Sequence, residues 1–353
     1  MNELTERRKR AHIETVLNED VAAKGVTSGF ERFFFDHVAA PELDLAKIDL
    51  SLELFGRRLA APLLISSMTG GTGAARDINL RLAEAAQGLR LAMGLGSQRA
   101  ALDNADLADT YRVRTVAPDI LLFANFGAVQ LNYGYGVDQA RRAVDMIQAD
   151  ALFLHLNPLQ EAVQPGGDRN FAGLMAKIEK LARALPVPVV VKEVGNGIGA
   201  ETARTLEGCG VAAIDVAGAG GTSWSEVEAF RVRDPLARRV AHAFAGWGIP
   251  TALALIEVCA ALPDLPIFAS GGVRGGIDAA KAIRLGATLV GAAAPVLGTA
   301  AGVNTVHEAM QATIEELRIA AFCTGSRDLG SLRRAALRRV EDWSIHRSPG
   351  ERN

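Results

Sequence analysis

Cysteine is scarce. Cys209, Cys259 and Cys323 are the three in 353 residues, too few and too scattered for a disulfide framework or a zinc cluster, as befits a reducing compartment. All three fall on helical patterns, where core burial is the better reading. An excess of one charge is also missing. Against 40 Asp+Glu stand 38 Lys+Arg, a net charge of −2, so no global field favours nucleic acid or an anionic membrane as partner. No apolar run of about 18 residues escapes charge, which excludes a membrane-spanning helix. The opening MNELTERRKRAHIE has basic residues but no apolar stretch behind them, so it does not read as a signal peptide. With 49% hydrophobic and 22% charged residues, the chain is not a disordered polymer and can bury a sizeable core. The expectation is a soluble, cytoplasmic enzyme.

Glycine is what the sequence has in quantity. Its 36 copies gather at the ends of apolar runs instead of spreading as in a linker. Eight such runs recur: 62–70 (PLLISSMTG), 89–97 (LRLAMGLGS), 120–127 (ILLFANFG), 151–158 (ALFLHLNP), 187–195 (VPVVVKEVG), 212–218 (AAIDVAG), 266–272 (PIFASGG) and 288–295 (TLVGAAAP). Near-continuous apolar character predicts strands buried on both faces, as in a parallel sheet. Helical patterns lie between them. Phe171, Leu174, Met175, Ile178, Leu181 and Leu185 keep the spacing of one helix face, with Asp168 placed to cap it. Residues 140–147, 201–206, 252–262 and 278–285 read likewise, the last closed by Gly286. Eight strand–helix units point to an α/β fold of the (β/α)8 TIM-barrel type in one domain, with a doubly wound sheet as the alternative. No G-x-G-x-x-G follows the first strand, which disfavours the sheet. Residues 45–60 read as a hairpin plugging the barrel bottom within an N-terminal extension, and 303–343 as a helical tail with Arg pairs at 333–334 and 338–339.

In a barrel of this kind chemistry sits at the strands' C-terminal ends. Those ends carry Ser66, Ser67, Met68 and Thr69; Ser97, Gln98 and Arg99; Asn125; His155, Asn157, Gln160 and Glu161; Lys192 and Glu193; Thr222; and the loops 270–276 and 291–295. The last two loops, SGGVRGG with Gly272, Val273 and Arg274, and GAAAP with Ala293 and Ala294, occupy the usual phosphate position of the fold. The helix beginning near Asp278 would reinforce them. Lys192, at the end of a buried strand, needs an anion. A reduced flavin, a Schiff-base substrate, or an ion pair with Glu193 or Asp215 each answers that need. Glu161 is a single carboxylate for a divalent cation, or a solvated charge. Arg7–Arg10, Arg99 and Arg169 are candidates to clamp a diphosphate.

RKRAHI (8–13), PLLISSMTGG (62–71), GLGSQR (94–99), LHLNPLQEAVQP (154–165), VPVVVKEVG (187–195), DVAGAGGTSW (215–224) and ASGGVRGG (269–276) together closely resemble the type 2 isopentenyl-diphosphate isomerases. The match runs in register from residue 8 to about 330. The resemblance implies a barrel holding FMN, a need for reduced flavin and Mg2+, and interconversion of isopentenyl and dimethylallyl diphosphates. NADPH would serve only to reduce the flavin, and the assembly would be a tetramer or octamer. Carried over residue by residue, Ser67, Met68, Thr69, Ser97, Asn125, Lys192 and Thr222 would contact FMN, and Gly272, Val273, Arg274, Ala293 and Ala294 would hold its phosphate. Arg8, Lys9, Ser97, Gln98, Arg99 and Gln160 would face substrate, Glu161 would bind Mg2+, and Gln160, His155 and Asn157 would be catalytic. The chain departs from the pattern at Arg10-Ala11, at Gly167 and at Gly246, none a carried-over ligand. The rivals are a flavin oxidoreductase and a non-catalytic flavin barrel. The stretch GAGGTSW has neither the His of 2-hydroxy-acid oxidases nor the Cys of inosinate dehydrogenases.

Overall fold

The computed structural model describes residues 11–12, 14–293, 296 and 303–342. Its strands in chain order are β1 (Phe33–Phe35), β2 (Leu52–Leu54), β3 (Arg57–Leu59), β4 (Leu63–Ile65), β5 (Ala92–Gly94), β6 (Leu122–Gly127), β7 (Ala151–His155), β8 (Val189–Lys192), β9 (Ala213–Asp215), β10 (Ile267–Ala269), β11 (Leu289–Ala292) and β12 (Leu337–Arg339). Strands β4 to β11 close into an eight-stranded barrel in chain order, β11 returning to β4. Every pairing around it is parallel. These are the eight apolar runs of the sequence. They are continuous because side chains pointing inward meet the barrel core and those pointing outward meet helices.

The inward set includes Leu64, Ala92, Phe123, Phe153, Val190, Ala213, Phe268 and Leu289. Phe123 and Phe153 stack with ring centroids 4.2 Å apart. The expected hairpin closes the floor beneath them, and β2 and β3 pair through a two-residue turn at Phe55–Gly56. Both turn residues have positive φ, 49° and 76°, the geometry whose twist matches a tight hairpin. Phe55 is an unusual occupant of such a position. Its ring lies 6.4 Å from that of Phe123 and 6.5 Å from that of Phe268, and this contact accounts for its presence. Arg57 fastens the hairpin to the barrel rim, donating to Asp150 Oδ1 at 2.8 and 3.0 Å. Arg114 grips the other carboxylate oxygen at 2.6 Å.

The helices differ from the sequence reading in two places. The helix expected from Asp168 begins at Leu174, behind Gly173 in the left-handed region at φ 66°. The Asp168 carboxylate is committed elsewhere, to Arg99 and Gln130. The C-terminal tail is helical over Val303–Cys323 and Leu329–Leu332, but Leu337–Arg339 form β12, antiparallel to β1. Phe33, Phe34 and Phe35 thus pair across some three hundred residues of chain, and Arg338 adds an ion pair to Asp36 at 2.6 Å. The tail helix packs on the helices Gly276–Arg284 and Gly73–Leu89. Cys209 is buried, and Cys259 and Cys323 are half-buried; all three are free thiols. No described helix is long and apolar enough to cross a membrane.

Candidate active site

A cavity of about 590 Å³ opens at the C-terminal ends of the barrel strands. Each barrel strand or the loop after it contributes lining residues. His12, Val16 and residues 19–22 of the N-terminal extension cover part of the mouth. They are fixed there by main-chain bonds from Ala23 to Gly221 and from Ser223 to Val21, both 2.8 Å.

One wall is a close apposition of two glycine-rich loops. Gly271 and Gly272 have φ of 98° and 70°, and their backbone lies directly against the loop 218–221. A Cβ on Gly221 would stand 2.5 Å from Gly272 N, and one on Gly272 would stand 2.6 Å from Gly220 O. Only glycines permit this apposition, which leaves Gly272, Val273 and Ala293 lining the cavity with Arg274 beside them. The helix N-terminus expected to help does not. Gly275 and Gly276 are absent from the lining, and Gly276 N donates to Glu316 Oε2 at 2.6 Å. At the end of β4, the Ser66 and Ser67 hydroxyls are buried without a hydrogen-bond partner among the described residues. An orphaned buried hydroxyl is costly unless a ligand completes it. Met68, Thr69, Ser97 and Thr222 line the same space. Ala294, Arg8 and Lys9 lie outside the described residues.

Lys192 reaches the cavity from the end of β8, 7% exposed. Its Nζ donates to the main-chain carbonyl of Glu193 at 2.6 Å, and no ion pair to Glu193 or Asp215 forms. Desolvation lowers its pKa, while the charges of Asp215 and Glu193 oppose the shift. The Glu193 carboxylate turns away to accept the N–H groups of Val194, Gly195 and Asn196 at 2.7, 2.8 and 2.5 Å. Burial nonetheless pushes it up to about 7. Asp215, fully buried, accepts the single Ser270 hydroxyl proton, Oγ lying 2.8 and 2.9 Å from its two oxygens, and burial raises its pKa too.

The string HLNPLQE places its polar groups at one corner. Asn157 Nδ2 donates to Gln160 Oε1 at 3.0 Å and to Glu161 Oε1 at 3.1 Å, while Asn157 Oδ1 is buried without a partner. Glu161, 8% exposed, also receives the Asp168 N–H on Oε2 at 2.7 Å. Among the described residues no three His, Cys, Asp or Glu side chains come together as a metal site. At this corner the Asn157 amine is the group that faces the Gln160 amide oxygen and the Glu161 carboxylate. Arg99 lines the cavity and is held by Asp168 at 2.6 Å. Gln98 and Arg169 do not reach the cavity. Gln98 is 0% exposed, bridging Ala143 O and Asn125 N at 2.8 and 2.9 Å. Arg169 donates to the main-chain carbonyls of Glu161 and Gln164.

Sequence reasoning missed a second group at this corner. Gln160 Nε2 donates to Glu228 Oε1 at 3.2 Å. Glu228 also meets His12 at 2.9 Å and Arg231 on its other oxygen, and Trp224 packs edge-on to His12 with centroids 5.3 Å apart. Burial alone would raise the Glu228 pKa, but His12 and Arg231 hold it below the ordinary carboxylate range. His12 stood in the string RKRAHI. Glu228 had no signal beyond sharing a helix face with Trp224.

The sequence profile of the FMN-dependent dehydrogenase family matches residues 154–339. The isopentenyl-diphosphate delta-isomerase of Synechocystis sp. is 61% identical over 334 residues, covering 94% of this chain and 96% of that one. That of Stutzerimonas stutzeri is 59% identical, with 94% and 96% covered. The chain belongs to the isopentenyl-diphosphate delta-isomerase family. It is an enzyme, then, and its barrel is shared more widely than its chemistry. A solved mandelate oxidase superposes with a TM-score of 0.64 over 95% of this chain and 98% of that one, at 21% identity. That likeness extends to the fold. The stretch 218–224 of this chain has no His or Cys.

Proposed function

We propose that the protein interconverts isopentenyl and dimethylallyl diphosphate by a 1,3-proton shift, using FMN in its reduced form and Mg2+. The reading rests on the presence, in one cavity, of glycine-rich loops suited to a phosphate and an amide–carboxylate corner in which His12 and Arg231 hold Glu228 below the ordinary carboxylate range, so that it is a poor proton donor. Protonating an unactivated alkene with protein groups alone normally calls for a carboxyl pair with separated pKa values. Bound reduced flavin would supply the acid and base instead.

The chain's own groups have the remaining tasks. Ser67, Met68, Thr69, Ser97, Asn125, Lys192 and Thr222 would hold the flavin. The unpartnered Ser67 hydroxyl supports that assignment, and the unpartnered Ser66 hydroxyl adds a contact. Gly272, Val273, Arg274, Ala293 and Ala294 would hold its phosphate. Lys192 would favour negative charge on the ring. Glu161 would bind Mg2+, Arg8, Lys9 and Arg99 would hold diphosphate, and Gln160, His155 and Asn157 would orient the alkene. NADPH would act only as reductant, and a cytoplasmic tetramer or octamer would be the working form, each protomer one barrel domain with its extension and tail.

The test is direct. Purified protein supplied with FMN, Mg2+ and isopentenyl diphosphate is assayed before and after dithionite, with the absorption spectrum recorded alongside. Activity should appear only with reduced flavin. A colourless protein that isomerises the substrate with no flavin present rejects the reading, as does a reduced holoprotein that leaves it untouched.

A further inference from the structure

The hydrogen bond to Asn125 bears directly on which nitrogen of His155 carries the proton. Nδ1 lies 2.8 Å from Asn125 Oδ1. The amide cannot be turned over, because Asn125 Nδ2 donates to the main-chain carbonyl of Leu95 at 3.0 Å. A flip would set oxygen against oxygen there. The support behind Asn125 is equally fixed, since its N–H is held by Gln98 Oε1 at 2.9 Å, and Gln98 Nε2 is anchored on Ala143 O at 2.8 Å. Asn125 is 3% exposed and Gln98 0%. An acceptor therefore faces Nδ1 on a rigid, desolvated platform.

We infer that Asn125 is a positioning residue that fixes neutral His155 as the Nδ1–H tautomer, making Nε2 the nitrogen that accepts a hydrogen bond or takes up a proton. The partner of one ring nitrogen sets the role of the other. In water the Nε2–H form predominates for a free side chain, so the site inverts the intrinsic preference. Gly127 leaves the space on the Nε2 side, where an added Cβ would stand 3.1 Å from that atom. A neutral His155 then cannot donate from Nε2. It can receive a proton there, and the Asn125 bond persists in the imidazolium because Nδ1 stays protonated in both states. This gives Asn125 a task beyond contacting a flavin, and it explains why Gln98, one step further back, is buried outside the cavity.

The bearing on turnover rests on the function proposed above, whereas the tautomer stands apart from it. The full-length protein as purified, labelled with 15N-histidine, is examined by long-range 1H–15N correlation at alkaline pH, where an ordinary imidazole is neutral. His155 is assigned by the signals lost in His155→Asn. Nδ1 should read as the protonated nitrogen and Nε2 as the bare one, and Asn125→Ala should shift the ring toward Nε2–H. A wild-type ring protonated on Nε2 overturns the inference, as does an unchanged tautomer in folded Asn125→Ala. If that variant does not fold, the wild-type spectrum decides alone. In the assay, Asn125→Ala should lower turnover by about ten- to a hundredfold, the range for losing a group that orients a ligating or catalytic histidine, with a smaller change in KM. Normal turnover with an altered tautomer removes the catalytic consequence. Wild-type protein with no isomerase activity rejects the function while the spectrum still reads the tautomer.

Discussion

At the scale of single residues, the cation role proposed for Glu161 rests on a carboxylate whose orientation is fixed. Asn157 and the Asp168 N–H hold it at 3.1 and 2.7 Å and fix its orientation. Glu161→Gln keeps the shape and removes the charge, so it should raise the Mg2+ concentration needed for half-maximal activity by about tenfold or more. FMN should stay bound. Titration of both proteins with Mg2+ checks this, and superimposable curves reject the metal role. Glu193 makes a different prediction, about stability. Burial lifts its pKa from an ordinary 4.5 to about 7. A carboxyl whose folded pKa is raised lends its full stability below the unfolded value and loses it as pH rises through the folded one. Stability should therefore fall between about pH 4.5 and 7, by on the order of 2–3 kcal/mol from this group. Glu193→Gln does not ionise and retains an oxygen for the three loop N–H groups. Its urea midpoint should change less between pH 5 and 7.5 than that of the wild type. Other titrating groups, Asp215 and Glu228 among them, are common to both proteins and drop out of the comparison. An equal or larger change in the variant contradicts the assignment.

At the scale of elements, the eight barrel strands were legible because burial on two faces writes itself into the sequence as an unbroken apolar run. The hairpin was legible from its turn and from alternation around Phe55–Gly56. The pairing of β1 with β12 was not, since three-residue strands carry too little pattern and their partners lie at opposite ends of the chain. Side-chain commitments were hidden for a related reason. Asp168 looked like a helix cap by spacing, and only the fold reveals the Arg99 and Gln130 that claim it. Glu228 lay about seventy residues from Gln160 with no motif around it. The hairpin also sets two effects against each other. Phe55 has φ 49°, which Asn tolerates better, so Phe55→Asn should recover up to about 1 kcal/mol of backbone strain. It would also lose the packing of a half-buried ring on Phe123 and Phe268, where full burial of a Phe is worth about 1.5–3 kcal/mol. Packing wins on these magnitudes. The variant should be less stable by about 1–2 kcal/mol in urea unfolding, and a more stable variant would show that strain dominates the turn.

At the scale of the whole molecule, the barrel is closed below by the hairpin and partly covered above by His12, Val16 and residues 19–22, so the cavity between them is a feature of the folded state alone. A ligand that needs the wall built from β4, β9, β10 and β11 binds the native chain and not the unfolded one, and must raise the melting temperature. At a hundred times its dissociation constant the gain is about 2.7 kcal/mol, which for a chain of this size amounts to several degrees. FMN added to flavin-free protein should produce that shift, and riboflavin, which lacks the phosphate, a smaller one. The difference between the two isolates the glycine cradle. Gly221→Ala supplies the control, because its new Cβ would stand 2.5 Å from Gly272 N and pushes apart the two loops that form the cradle. Its melting temperature without ligand will be lower, so the quantity to compare is the shift on adding FMN. That shift should shrink toward the riboflavin value in the variant while remaining full in Glu161→Gln, whose lesion lies across the cavity. Equal shifts for FMN and riboflavin in the wild type would place the phosphate elsewhere and dissociate these loops from flavin binding.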